Sequence, residues 1–225
     1  ASACGLGAAR TAVAEWQNRF DDLIFNVAQD TGIPAQLLKN LFSRESQFWP
    51  GIVKSIPEVG LGQLTDNGAD TALLWNPSFY EQFCPLVLQD SVCRKGYPHL
   101  KAAEQATLRG ALVRSVDAFC ADCPLGLDLR LADFSVNIFA ETLLANCEQA
   151  GVIIRNISGR APGEVSSYEN LWRFTLVNYN AGPGCLSIAI EDTDDAGEEF
   201  IWENVSQHLT PVCQGAIDYV EDISR

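Results

Sequence analysis

Apolar residues recur at helical spacing along the first thirty positions of the chain. Between Ala8 and Gln29 they are three or four positions apart, which predicts one long helix with a single buried face: Trp16, Phe20, Leu23, Ile24 and Val27. Gly32 and Pro34 follow, and they predict the end of this helix and the start of another, with Pro34 near the first helical position.

The second predicted helix contains a carboxylate on its apolar face. Its buried stripe consists of Leu37, Leu38, Leu41 and Phe42, and Glu45 follows three residues after Phe42, so it continues that stripe. Because desolvation favours the protonated form of a carboxyl group, this position suits a general acid. The structural alternative is a buried glutamate held by a helix N-terminus or an arginine.

The rest of the chain is predicted to be mostly helical. Proline and glycine between Trp49 and Gly62 indicate irregular or short-strand structure, and a helix resumes after Thr65 or Asp66. Four cysteines flank a predicted helix from Leu100 to Phe119, so residues 76–127 resemble a disulfide-stapled insertion. Further helices are predicted at Ala132 to Glu148, Ser167 to Tyr179, Cys185 to Ile190, Glu198 to Leu209 and Val212 to Ile223.

The composition predicts a single domain that spans residues 1–225, with the insertion at about 76–127. Apolar residues make up 47% of the 225 positions and are spread evenly, without a linker, a low-complexity block or a repeat. No apolar run approaches the roughly 20 residues of a membrane span. The chain begins at Ala1 without a signal-like segment, so we expect that any signal peptide has been removed.

The eight cysteines favour disulfides over a metal site. Their number is even and the chain has only two histidines, so we expect most or all cysteines to be paired in a secreted or periplasmic protein, without metal or cofactor. Two alternatives stay open for the closely spaced pair in Cys120-Ala-Asp-Cys123: a redox motif or half of a zinc site. The connectivity cannot be read from the sequence.

The net charge limits the partners. A formal charge of −14 argues against nucleic acid and against an anionic membrane surface, since both attract clustered lysine and arginine. It is also unfavourable for binding an anionic cell wall, although a strongly acidic surface is in addition a common means of staying in solution. We expect a monomer.

Three motifs in order resemble the soluble lytic transglycosylases and goose-type lysozymes. The first runs from Ile33 to Pro50 and contains Arg44-Glu45-Ser46-Gln47-Phe48-Trp49. The second is Gly60-Leu61-Gly62-Gln63-Leu64, preceded by Ser55, and the third is Leu176-Val177-Asn178-Tyr179-Asn180-Ala181-Gly182-Pro183-Gly184. Supporting stretches lie at 136–144 and 202–220. The resemblance covers about residues 15–75 and 130–223 and leaves the cysteine-rich segment unmatched.

This resemblance implies an α+β lysozyme-like fold, a helical bundle around a substrate cleft, and cleavage of β-1,4 bonds in peptidoglycan. Glu45 would be the catalytic acid and base, and Ser46 would brace the site. The resemblance further implies that the following residues contact the polysaccharide: Phe48, Gly60, Gln63, Tyr179 and Asn180. Chitin is the alternative polymer, and a catalytically silent sugar-binding module is the non-enzymatic alternative.

Two departures from the family pattern bear on the site. Gly62 stands where the family has methionine, and we expect its missing side chain to widen the site. Glu58 stands where a small residue is usual, and as a second carboxylate it could orient a water opposite Glu45, which would favour hydrolysis with inversion. Asp66 is a rival second carboxylate. An exposed loop and helix capping, respectively, are the simpler explanations of Glu58 and Asp66.

Overall fold

The computed structural model describes residues 3–49 and 58–224. The described ranges are mostly helical, and their β pairing consists of two isolated antiparallel bridges, Val59 with Leu64 and Phe119 with Leu127. The mostly-α prediction is therefore confirmed. The α-helices are α1 Ala3–Gln17, α2 Asp21–Thr31, α3 Ala35–Ser46, α4 Asp66–Trp75, α5 Pro77–Phe83, α6 Asp90–Cys93, α7 Ala102–Val116, α8 Leu129–Ser158, α9 Pro162–Val165, α10 Tyr168–Ala181, α11 Pro183–Asp195, α12 Trp202–Val205 and α13 Gly215–Ile223.

The chain divides into two compact units, each made of two chain segments. Unit 1 comprises Ala1–Thr65 and Leu112–Ala140, and unit 2 comprises Asp66–Ala111 and Glu141–Arg225. The cysteine-rich segment 76–127 is thus shared between the units, with residues 76–111 in unit 2 and 112–127 in unit 1. A single domain with an insertion stays a prediction.

The N-terminal apolar stripe forms two helices, so the prediction of one long helix is wrong. α1 ends at Gln17, and a turn closed by a hydrogen bond from Asp21 N to Asn18 O precedes α2. The turn lets Phe20 lie in the core of unit 1 with 1% of its surface exposed. α2 ends at Thr31 and is capped by Gly32, whose φ of 75° a residue with a Cβ adopts only with strain.

The core of unit 1 is built around α2 and α3, which pack against each other. The buried positions of α3 are those that the sequence pattern predicts: Leu37, Leu38, Leu41 and Phe42. Glu45 is half-buried on the last turn of the same helix. The apolar stripe therefore places the carboxyl group at the edge of the core.

α10 is the central helix of unit 2 and packs against α11 and α13. Five consecutive residues, Phe174 to Asn178, are buried, so this helix contacts protein on all sides instead of along one stripe. Its N-terminus is capped by the hydroxyl of Ser167, which accepts a hydrogen bond from Asn170 N at 3.3 Å. The prediction of a helix from Ser167 to Tyr179 is confirmed to within two residues.

Two other helix predictions are wrong in extent. α8 continues to Ser158, ten residues beyond the predicted end, because Ala150 and Ile154 extend its buried face past Gly151. The predicted helix from Glu198 to Leu209 is reduced to α12 and a 3-10 turn at Ser206–His208. Phe200 and Trp202 are both buried although two positions apart, and a helix does not direct such residues to one side.

Three disulfides join residues within the described ranges: Cys84 with Cys93, Cys120 with Cys123, and Cys185 with Cys213. Most cysteines are therefore paired, as expected, whereas Cys147 is a half-buried free thiol, so the stronger expectation that all are paired is wrong. Disulfides are typical of oxidising compartments, which agrees with the extracytoplasmic prediction, while secretion itself stays a prediction. None of the helices in the described part of the chain is long and apolar enough to cross a lipid bilayer.

Candidate functional site

The last turn of α3 carries the predicted catalytic residue and ends in two left-handed residues. Gln47 and Phe48 have φ of 52° and 60°. Gln47 N donates to Ser43 O at 3.1 Å, and Phe48 N donates to Phe42 O at 3.4 Å. The hydroxyl of Ser46 donates back to Phe42 O at 3.1 Å. Consecutive left-handed residues that are not glycine are costly, so surrounding contacts must hold the chain in this shape.

Those contacts come from residues 16–20. Trp16 Nε1 donates to the carbonyl oxygen of Phe48 at 2.8 Å, and the ring centroids of Trp16 and Trp49 lie 4.1 Å apart. Phe20 and Phe48 stack with centroids 6.5 Å apart. The chain that leaves Glu45 is thereby fixed against the N-terminal helices of unit 1.

The second motif forms a tight turn closed by the bridge between Val59 and Leu64. Each of these residues donates its N–H to the other's carbonyl oxygen, at 3.1 and 2.7 Å. Gly60 and Gln63 are left-handed, with φ of 76° and 58°, and Gln63 Nε2 donates to Gly60 O at 2.9 Å. The amide nitrogen of Gln63 is therefore already used to hold the turn.

Phe139 of α8 packs against this turn and occupies the space beside Gly62. A Cβ at Gly62 would lie 2.6 Å from Cε1 and 2.7 Å from Cγ of Phe139, distances that no Cβ sustains. A Cβ at Gly60 would lie 2.9 Å from Cε2 of the same ring. The expectation that Gly62 widens the site is therefore wrong, because the space is filled from α8.

The same ring also contacts α3. The rings of Phe139 and Phe42 meet edge to face, with centroids 6.1 Å apart and planes at 75°. Phe42 lies one helical turn before Glu45. Phe139 thus connects the helix of the first motif with the turn of the second motif, and both lie in unit 1.

A hydrogen bond from the same helix supports this connection. Leu61 N donates to the hydroxyl of Ser135 at 3.4 Å, and that hydroxyl donates to Ala132 O at 2.7 Å. Ser135 and Phe139 are one turn apart on α8, so they present one face to the turn. Sequence reasoning missed both residues, although alternating small and large buried residues on α8 could have indicated a packing face.

The other predicted residues of unit 1 differ in exposure. Phe48 has 2% of its surface exposed and Gly60 is buried, so in this conformation neither presents a surface to a sugar. Glu58 is half-buried. It directly follows residues 50–57, which include Ser55 of the second motif and lie outside the described ranges. The predicted contacts of these residues with a polysaccharide stay predictions.

Asp66, the rival second carboxylate, belongs to unit 2. It is the first residue of α4, its side chain is 74% exposed, and it lies 3.7 Å from Arg109 Nε. Arg109 also pairs with Asp70 at 2.6 Å. Asp66 thus starts a helix and joins an ion-pair cluster, which accounts for it without catalysis.

One carboxylate of unit 1 was missed by sequence reasoning. Asp133 on α8 is exposed, yet partial burial of its carboxyl raises its pKa, and the positive charge of Arg19 opposes this shift. Arg19 lies 4.6 Å from the ring of Trp16. No pattern in the sequence signals this residue, because Arg19 belongs to a turn more than a hundred positions away.

The third motif is the C-terminal end of α10 in unit 2. Tyr179 is half-buried and Asn180 is exposed, and α10 ends where Gly182 adopts a φ of 88° before Pro183 starts α11. A position of Tyr179 and Asn180 beside Glu45 stays a prediction.

A buried amide network fixes this end of α10. Asn178 Nδ2 donates to Asn146 Oδ1 at 2.8 Å and to Gln149 Oε1 at 2.9 Å, both on α8. Asn178 is 2% exposed, and its Oδ1 atom has no hydrogen-bond partner within the described part of the chain. Sequence reasoning assigned no role to these three residues.

The cysteines of the Cys120-Ala-Asp-Cys123 turn are bonded to each other and are not available together as zinc ligands. Across residues 3–49 and 58–224, no three His, Cys, Asp or Glu side chains come together in a group that could hold a metal ion.

Comparison with known protein families, with curated proteins and with solved structures finds no match to this chain.

Proposed function

We propose that this chain cleaves β-1,4 glycosidic bonds in peptidoglycan, with Glu45 as general acid and base, as a secreted monomer with a lysozyme-like fold. The observation that carries the proposal is the position of Phe139, which contacts both Phe42, one turn before Glu45, and the Gly60–Gly62 turn. The resemblance requires its first two motifs to meet, and one side chain contacts both of them.

The chemistry uses one carboxyl group twice. Glu45 protonates the glycosidic oxygen while an oxocarbenium-like centre forms, and its carboxylate then takes a proton from the acceptor. If the acceptor is the C6 hydroxyl of the same sugar, a 1,6-anhydro ring forms, whereas water yields a reducing end.

Chitin is the second candidate polymer, and the charge of the chain favours it. At −14 the protein repels an anionic cell wall more than a neutral polymer of N-acetylglucosamine. The same acid and base chemistry applies to both polymers. The catalytically silent alternative is retained as an outcome of the test below.

The test compares the wild type with Glu45→Gln on purified peptidoglycan and on chitin oligomers, with products identified by mass spectrometry. Glutamine keeps the shape of the side chain but cannot donate the proton, so we expect turnover to fall by about 10²- to 10⁴-fold or more. Circular dichroism and binding of chitin oligomers should remain unchanged. A variant that retains a tenth of the wild-type activity contradicts the role of Glu45, and a wild type that binds oligomers without cleaving either polymer supports the silent alternative.

Glu58→Gln and Asp66→Asn serve as matched carboxylate controls. If Glu58 orients a water, the wild type releases reducing ends of inverted configuration and Glu58→Gln loses this activity. If the products are 1,6-anhydro sugars and neither control changes them, both residues are structural. Asp66→Asn is expected to retain full turnover, because its ion pair with Arg109 is largely exposed.

A further inference from the structure

A cavity of about 800 Å³ lies in unit 2, within residues 66–111. Its walls come from α4, α5, α6 and the 3-10 helix Tyr97–His99. The apolar and aromatic lining includes Leu73, Leu74, Pro77, Tyr80, Pro85, Tyr97 and Pro98. A mostly apolar cavity of this size falls in the range of about 300–1,000 Å³ that small-molecule sites occupy.

The wall of the cavity is held rigidly. The disulfide between Cys84 and Cys93 joins the end of α5 to α6, and the hydroxyl of Tyr80 donates to Cys93 O at 3.0 Å. The hydroxyl of Tyr97 donates to Asp70, and the rings of Tyr80 and Tyr97 meet edge to face 6.1 Å apart. Because these side chains are already ordered, a ligand would meet a preformed site and lose little affinity to ordering the wall.

The polar groups of the cavity favour an uncharged ligand. Both tyrosine hydroxyls donate within the protein, and burial, the main cause, raises the pKa of each, so they remain neutral phenols. Three charged residues line the cavity, and all three are exposed. Two are carboxylates, Glu81 and Asp90, and one is a guanidinium, Arg94. An anion would meet a net negative rim and an interior whose hydroxyl donors are already used.

We propose that this cavity binds a small uncharged molecule with an apolar, ring-containing body. None of the residues that line the cavity belongs to unit 1, the unit of Glu45, and most of the lining comes from the segment that the transglycosylase resemblance leaves unmatched. The site therefore does not depend on the proposed glycosidase activity.

The test uses two fluorescent probes that share one ring system. N-phenyl-1-naphthylamine is uncharged, and 8-anilinonaphthalene-1-sulfonate adds a sulfonate. We expect saturable binding of one uncharged probe per chain, and binding of the sulfonate weaker by about tenfold or more because of the negative rim. Absence of saturable binding of the uncharged probe, or equal binding of both probes, overturns the proposal.

Three matched variants test whether the probe binds in this cavity. Leu74→Glu introduces a carboxylate into the cavity wall and should weaken binding of the uncharged probe by about tenfold or more. Ile188→Glu on α11 is the control, since Ile188 is 44% exposed, close to the 41% of Leu74, and lines no part of this cavity. Ser78→Glu tests an adjoining cavity of about 530 Å³ that shares Leu74 and Pro77. If Leu74→Glu binds normally, or if Ser78→Glu weakens binding equally, the proposed location is wrong.

Nuclear magnetic resonance of the wild type makes the test independent of the folding of any variant. On addition of the uncharged probe, the amide signals of Gly96 and Tyr97 should shift, because both residues line the cavity. The amide signal of Ile188 should not shift. Shifts confined to residues outside the cavity overturn the proposal.

Discussion

Gly62 and Phe139 show how one residue takes over the space of another. A side chain at Gly62 has no room, because the ring of Phe139 occupies the space beside it from α8. The apolar packing of the turn is therefore maintained by a side chain seventy-seven positions further along the chain.

We expect Gly62→Ala to lower the free energy of unfolding by about 1–3 kcal/mol, because the new Cβ forces the Phe139 ring to move. Urea denaturation followed by circular dichroism measures this loss. In the double variant with Phe139→Leu the two effects should not add, since the smaller side chain makes room for the Cβ. Gly184→Ala is the control, because a Cβ there meets nothing within 4 Å, and a loss as large in this variant would contradict the packing explanation.

Cys147 is expected to behave as a slow-reacting thiol. Burial raises its pKa, while a hydrogen bond with Thr175 acts in the opposite direction. At pH 8 the native protein should react slowly with iodoacetamide, and after denaturation without reduction one further equivalent should react, which Cys147→Ser should lack.

Because the pKa of Cys147 is raised in the folded state, the wild type should also lose stability relative to Cys147→Ser as pH rises above about 8.5. Rapid reaction of the native thiol with iodoacetamide would contradict the burial of Cys147 on which both expectations rest.

At the scale of elements, α10 shows how a buried helix accommodates polar residues. Its central residues are apolar except for Thr175 and Asn178, and each has a defined partner. The hydroxyl of Thr175 donates to Leu171 O at 2.8 Å, and the amide nitrogen of Asn178 donates to α8. Buried polar groups are tolerated when they are hydrogen-bonded, so Asn178 links α10 to α8 specifically.

Asn178→Asp is expected to destabilise the protein by about 2–4 kcal/mol. The substitution removes the donor that Asn146 and Gln149 share and places a carboxyl group among acceptors in a buried site. Asn180→Asp makes the same chemical change at an exposed position of α10 and should alter stability by less than about 0.5 kcal/mol. Thermal unfolding at neutral pH compares the two, and equal effects would show that the network contributes nothing.

At the scale of the whole molecule, the strong negative charge determines how the protein meets a charged polymer. With Lys and Arg at 15 and Asp and Glu at 29, acidic side chains outnumber basic ones almost twofold. Repulsion from an anionic polymer acts over about one Debye length, which falls from about 30 Å at 0.01 M salt to about 8 Å at 0.15 M. The rate of encounter with such a polymer therefore depends on salt.

If peptidoglycan is the substrate, we expect kcat/KM on it to rise several-fold between 0.01 and 0.15 M salt, because screening removes the repulsion. Turnover of uncharged chitin oligomers by the same preparation should change little and serves as the control. Glu45→Gln run in parallel corrects for any background cleavage. A fall in activity on peptidoglycan with added salt would mean that local positive groups, and not the net charge, govern its binding.

The sequence by itself determined the helical class, the stripe on α3 that carries Glu45 at its end, and the approximate bounds of α10. These features arise from neighbours three or four positions apart, so periodicity is sufficient to predict them. The break between α1 and α2, the filling of the space at Gly62 and the free thiol of Cys147 were decided by tertiary structure. Each depends on partners far away in the chain: Trp16 bonds to Phe48, Phe139 occupies the space beside Gly62, and Cys147 faces Thr175. A local pattern cannot specify such contacts, because they form only when helices distant in sequence pack together.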